Sequence, residues 1–129
     1  MGSPRIQSRR FPAGAVVLAG AMLAAGPAAA EYVFASPSVS NQNRVYWLDR
    51  YTGTVGACQY QAGGGPAGSM ACFPPGEGAR AMPSGAYDLK GSNRETEWGV
   101  FRLNRMTGEI SLCFVKEAEV VCTPQAIAR

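Results

Sequence analysis

The chain has 129 residues, of which 47% are hydrophobic and 16% charged, with four cysteines and no histidine. This length corresponds to one domain, and the absence of histidine excludes Ser–His and Cys–His catalytic pairs and most zinc sites. The net charge of +3 comes from Arg5, Arg9 and Arg10, since the chain from Glu31 onward has as many basic as acidic residues. A neutral chain lacks the positive surface that nucleic acid requires, so nucleic acid is not an expected partner.

The first thirty residues have the pattern of a secretory signal peptide. Three arginines precede an apolar run over residues 13–25, and a Gly-Pro break then leads to the small residues Ala28, Ala29 and Ala30. We expect cleavage after Ala30, which divides the chain into a signal peptide, residues 1–30, and a mature domain, residues 31–129. An uncleaved anchor is the alternative, but the run is shorter than the roughly 20 residues that cross a bilayer. The predicted location is the periplasm or the cell exterior, without a stable membrane anchor.

The mature chain matches itself at a shift of 55 residues without a gap. The segment VYWLDRYTG at 45–53 aligns with VFRLNRMTG at 100–108. We interpret residues 31–85 and 86–129 as two copies of one unit, joined by a Pro- and Gly-rich linker at 73–86. Short runs rich in β-branched and aromatic residues that end at turn signals are typical of antiparallel strands. The sequence therefore predicts an all-β domain of two antiparallel β-meanders with three to four strands each, packed as a small sandwich or a two-blade unit.

The D/N-R-x-T-G segment of each unit predicts a hairpin turn. Asp49 and Asn104 each offer an oxygen to the turn amides, and Gly53 and Gly108 supply a positive φ that side chains resist. A catalytic or metal-binding role for the Asp49 carboxylate is the alternative. Asn104 retains the hydrogen-bond acceptor without the charge, which favours the turn.

Four cysteines in a short exported chain predict two disulfides. A two-residue turn at 117–118 places Cys113 directly opposite Cys122, where the β-carbons approach disulfide range. The same pattern places Cys58 opposite Cys72 across a glycine-rich loop. Sequence alone leaves the other pairings open, and we favour the local pairing because it gives both units one architecture. A redox-active pair is the functional alternative, but neither pair has C-x-x-C spacing.

Alternation along the strands predicts which side of each sheet faces the core. One side of the second unit is the predicted core side; its members are Phe101, Leu103, Ile110, Leu112 and Phe114. Tyr46 and Leu48 hold the matching positions in the first unit. The opposite side carries Arg102, Ser111 and Cys113 in the second unit and Trp47 in the first.

Trp47, Trp98 and Arg102 are the candidate contact residues. Aromatic side chains bind sugars and anchor protein–protein contacts, so exposed tryptophans would indicate a binding surface. The alternative for each tryptophan is that it covers the core.

The second unit resembles a module of small exported proteobacterial proteins of unknown function. Their pattern is R-L-D-x-x-T-G-x-x-S-L-C followed by a second cysteine, and the matching residues here are Arg102, Leu103, Thr107, Gly108, Ser111, Leu112, Cys113 and Cys122. Asn104 departs from the pattern because it replaces the acidic residue. The resemblance implies an envelope setting and no activity. The L-D-x-x-T-G turn is also similar to a turn of quinoprotein-type β-propellers.

No motif in the chain indicates catalysis. The close carboxylate pairs, Glu95 with Glu97 and Glu117 with Glu119, are interpreted as solvated charges. We expect no enzyme activity, no metal and no cofactor. The predicted function is that of an exported, disulfide-stabilised, non-catalytic β module for protein–protein contact or envelope maintenance. The alternative is a small carbohydrate-binding, lectin-like module that self-associates, and the partner is therefore an unidentified protein, a glycan or a second copy.

Overall fold

The computed structural model describes residues 2–5, 12–21, 30–38, 43–93 and 99–127, which contain two four-stranded antiparallel sheets and no helix. The strands are β1 (Tyr32–Ala35), β2 (Arg44–Asp49), β3 (Val55–Gln61), β4 (Ser69–Phe73), β5 (Tyr87–Gly91), β6 (Val100–Asn104), β7 (Ile110–Lys116) and β8 (Glu119–Cys122). The first sheet has the order β1-β2-β3-β4 and the second the order β5-β6-β7-β8. The predicted all-β fold of two meanders is confirmed.

The N-terminal segment is described only in part. Residues 12–21, which include much of the predicted apolar run, form neither helix nor strand and lie exposed. The small residues before the predicted cleavage point, Ala28 and Ala29, lie outside the described residues. Within the described ranges, no helix is long and apolar enough to cross a membrane.

Strand pairing follows the same register in both sheets. Trp47 lies opposite Gly56 in the first sheet, and 55 residues later Arg102 lies opposite Ser111 in the second. Because directly opposed residues of an antiparallel pair point to the same face, positions separated by this shift occupy equivalent places in the first three strands of the two sheets.

Both predicted disulfides, Cys58–Cys72 and Cys113–Cys122, are confirmed. Each joins directly opposed residues of the last two strands of a sheet. The predicted turn after β7 is present, with a positive φ of 50° at Glu117 and 68° at Ala118. Such a pair of residues matches the twist of the flanking strands. In the chain-entropy model, a disulfide that closes a loop of this size raises the free energy of unfolding by about 3 kcal/mol, which is a large contribution for a domain with a small core.

The two sheets pack face to face, but the predicted core side is wrong for the second sheet. The first sheet buries the predicted side, with Tyr46, Leu48, Val55 and Ala57 fully inaccessible. The second sheet buries the opposite side, whose buried members are Tyr87, Val100, Arg102, Asn104, Ser111, Cys113, Val120 and Cys122. The predicted core side of the second unit therefore faces outward.

This arrangement arises because the two sheets stack with equivalent sides pointing in the same direction, which we call same-sense stacking. The side of the first sheet that carries Tyr46 meets the side of the second sheet that is equivalent to the Trp47 side. Two unlike faces are left outside. The large apolar residues of the first outer face are Tyr32, Phe34, Val45, Trp47, Tyr60 and Met70. Those of the second outer face are Phe101, Leu103, Ile110, Leu112 and Phe114, and this face also carries the charged Asp88 and Lys90.

The segment between the sheets, predicted as a linker, is part of the packed structure. Pro75 forms a β-bridge with Val120, and the Cys122 N–H donates to the Glu77 carbonyl at 2.9 Å. Ala79 is fully buried in the core. The segment therefore fills the gap beside β8 and fixes the second sheet against the first.

Candidate interaction surfaces

Arg102 is not a contact residue, which corrects the prediction. Its side chain is 1% exposed and lies between the two sheets. It points to the side of the second sheet that was expected to face solvent, and the same-sense stacking covers that side. Arg102 is therefore part of the contact between the two sheets.

The guanidinium of Arg102 ties the turn of the first sheet to the connecting segment. Its Nη1 donates to the carbonyl of Gly53 at 2.8 Å, and its Nη2 donates to the carbonyl of Gly78 at 2.9 Å. Burial lowers the pKa of Arg102 because desolvation disfavours the charged form, and the nearby Tyr87 partly offsets this effect. Among the described residues, the backbone carbonyl dipoles of Gly53 and Gly78 stabilise this buried charge.

The structure has the expected turn in both sheets. The Oδ1 atom of Asp49 accepts hydrogen bonds from the Tyr51 and Thr52 amides at 2.9 and 3.3 Å. The Oδ1 atom of Asn104 accepts bonds from the Met106 and Thr107 amides at 3.0 and 3.3 Å. The glycine that follows each turn, Gly53 or Gly108, has a φ of 73° or 77°. Both side chains bind the backbone in the same way, and this geometry gives the Asp49 carboxylate a turn-forming role.

Trp47 lies on the first outer face, where it is partly exposed. Its indole lies flat on the sheet because the opposed residue is Gly56: a Cβ at that position would clash with the ring. Tyr32 packs edge-on against the indole, with 5.7 Å between the ring centroids. The absence of a side chain at Gly56 thus leaves the space in which the Trp47 ring packs against the strand.

The other members of this face were missed as candidates. Tyr32 is 55% exposed, Phe34 is 70% exposed, and Tyr60 and Met70 are also exposed. The signal was present in the sequence, because alternation in β1 places Tyr32 and Phe34 on the side of Trp47. Exposed apolar side chains that share one face are typical of interaction surfaces.

The second outer face contains an apolar groove of about 570 Å³. It is lined by the apolar residues Leu89, Phe101, Leu103 and Ile110 and by the charged residues Asp88 and Lys90. Ile110 projects from the face and is 45% exposed. The protein therefore presents one apolar surface on each side of the sheet pair.

The remaining candidates are Trp98 and the two carboxylate pairs. Trp98 and the pair Glu95 and Glu97 lie outside the described residues. Glu117 is exposed in its hairpin turn and Glu119 is partly exposed beside it. The described part of the chain contains no group of three or more His, Cys, Asp or Glu residues that could hold a metal ion.

Comparisons of the chain with protein-family models, with curated protein sequences and with solved structures find no match. The two outer faces and the chemistry of their side chains are therefore the features that bear on function.

Proposed function

We propose that this protein is an exported, disulfide-stabilised, non-catalytic β module that acts by protein–protein contact in the bacterial envelope. The observation that carries the proposal is the first outer face. Four of its members, Tyr32, Phe34, Tyr60 and Met70, are large side chains that remain exposed. Tyrosine, tryptophan, phenylalanine and methionine are the residue types that are enriched where proteins bind one another.

The setting of this proposal is supported by the disulfides and by the N-terminal sequence. Disulfides persist in oxidising compartments, and both bridges of this small domain are compatible with the periplasm or the cell exterior. The signal-peptide pattern in residues 1–30 supports export by a second, independent feature. We therefore expect the working protein to begin at Glu31.

A photocrosslinking experiment in intact cells tests this function. Phe34 is replaced by p-benzoylphenylalanine in the full chain expressed in a Gram-negative bacterium, and Ala62, exposed in the β3–β4 loop, is replaced in the matched control. We expect a periplasmic product that begins at Glu31 and that forms a discrete adduct from position 34 only. An uncleaved cytoplasmic chain, or equal and diffuse labelling from both positions, would contradict the proposal.

A carbohydrate-binding module is the second candidate, favoured by the edge-on pair of Tyr32 and Trp47. A partly exposed indole that lies on a strand is the kind of surface on which a sugar ring stacks. On a glycan array, we expect Trp47→Ala to abolish any signal of the wild-type protein and Ala62→Glu to leave it unchanged. An array without signal for the wild-type protein excludes this candidate.

A further inference from the structure

The contact between the two sheets shows which side of the first sheet packs on which side of the second. The inner side of the first sheet meets the inner side of the second, and those two sides are not equivalent. Each outer face is the equivalent of the inner side of the other sheet. The two faces left unpaired are thus the same two kinds of surface that pair inside the molecule.

Residues at equivalent positions of the two sheets differ in their exposed fraction according to whether their side of the sheet is inside or outside. Tyr87 is 1% exposed inside the molecule, whereas its equivalent on the first outer face, Tyr32, is 55% exposed. Val55 is fully buried, whereas its equivalent on the second outer face, Ile110, is 45% exposed. Apolar character is kept at all four positions although only two of them are covered.

The two turn glycines, Gly53 and Gly108, differ in what packs on them. A Cβ built on Gly53 would lie 3.0 Å from the Tyr87 ring, which therefore packs directly on that turn. A Cβ built on Gly108, the equivalent glycine, would meet no atom of the described residues within 4 Å. The position that Tyr87 fills over the first turn is open over the second, and Tyr32 is the side chain that matches it.

We propose that the protein assembles head to tail, with the second outer face of one copy packed on the first outer face of the next copy. In this contact Tyr32 and Phe34 cover the groove beside Ile110, and the Tyr32 ring lies over Gly108. The contact continues the inter-sheet packing of the monomer across a molecular boundary. It places the apolar surface of both faces away from water.

Head-to-tail contacts form a ring when the rotation closes. Rings of face-to-face four-stranded sheets typically contain roughly four to eight sheets. Two sheets per chain then require two to four copies. A closed ring is the expected form, because an open stack would leave one apolar face at each end.

This inference deepens the proposed function, since it rests on the first outer face being a contact surface, and it names a second copy as the partner. Light scattering of the purified exported protein measures the mass of the assembly. Phe34→Glu introduces a charge on the first outer face and Ile110→Glu on the second. Ala62→Glu is the matched control, because it adds the same charge in an exposed loop.

We expect the wild-type protein and Ala62→Glu to have the mass of two to four chains, and each of the other variants to have the mass of one chain. A mixture of Phe34→Glu and Ile110→Glu is expected to form a one-to-one dimer, because each variant retains the face that the other lacks. This recovery also shows that both variants are folded. A symmetric contact between like faces would give no such recovery.

A single-chain mass for the wild-type protein would overturn the inference, and so would an assembly that survives either face substitution or a mixture that stays dissociated. These outcomes are separate from failure of the proposed function. An adduct at position 34 with a foreign protein, together with a monomeric wild type, removes only the self-association. An oligomer formed by a chain that is never exported removes only the envelope function.

Discussion

Replacing Arg102 by alanine is expected to lower the free energy of unfolding by about 3 kcal/mol, because the buried Gly53 carbonyl left without a donor costs about 1–3 kcal/mol, the part-buried bond to Gly78 adds less, and packing between the sheets is lost. The substitution leaves the carbonyls of Gly53 and Gly78 without the guanidinium that now binds them. It also leaves a cavity between the sheets. Urea unfolding monitored by tryptophan fluorescence measures the effect. The Ile110→Glu variant is the background, so that dissociation of an assembly does not contribute.

Arg44→Ala is the control for this prediction. Arg44 also makes hydrogen bonds, to Oε1 of Gln59, and stacks 5.0 Å from the ring centroid of Phe73, but it is only partly buried. We expect its loss to cost about 1 kcal/mol or less. If both substitutions cost the same, Arg102 does not hold the sheets together as described.

Gly78→Ala is expected to lower the free energy of unfolding by about 3 kcal/mol, from steric overlap and from a backbone conformation that side chains resist. Gly78 has a φ of 73°, and a Cβ there would lie 2.2 Å from the carbonyl oxygen of Cys122. The backbone cannot withdraw freely, because the Cys122 N–H donates to the Glu77 carbonyl and the Gly78 carbonyl accepts from Arg102.

Gly108→Ala separates the cost of steric overlap from the cost of the backbone conformation. Gly108 has nearly the same φ, 77°, but open space where the Cβ would be. The expected cost is about 1 kcal/mol, from the backbone conformation alone. Equal losses for both variants in urea unfolding, again in the Ile110→Glu background, would show that the approach of Gly78 to β8 is not tight.

The sequence allowed the strands and their pairing to be predicted because those features are local. Asp49 and Gly53 specify a turn that sets the register of β2 and β3, and the glycine-rich loop after β3 sets the register that brings Cys58 opposite Cys72. The same chain of causes operates in the second sheet. Each step involves residues that are close together in the sequence.

The packing of the sheets could not be predicted in this way. Both sides of each meander carry large apolar side chains, so alternation does not distinguish the inner side from the outer side. Arg102 misled the assignment, since an arginine in a strand ordinarily marks the solvent side. Its real partners, Gly53 and Gly78, lie in other parts of the chain. The exposure of Tyr32 and Phe34 could have been predicted, because the first sheet buries its predicted side and β1 places both residues on the side of Trp47.

Hydroxyl-radical labelling of the Ile110→Glu variant, read out by mass spectrometry, tests the same-sense stacking most directly. Four aromatic residues report on the two sides of each sheet: Tyr32, Tyr46, Tyr87 and Phe101. We expect strong labelling of Tyr32 and protection of its equivalent Tyr87, together with protection of Tyr46 and labelling of its equivalent Phe101. Protection of both Tyr46 and Phe101, with equal labelling of Tyr32 and Tyr87, would mean that matching sides of the sheets pack together and would contradict the stacking.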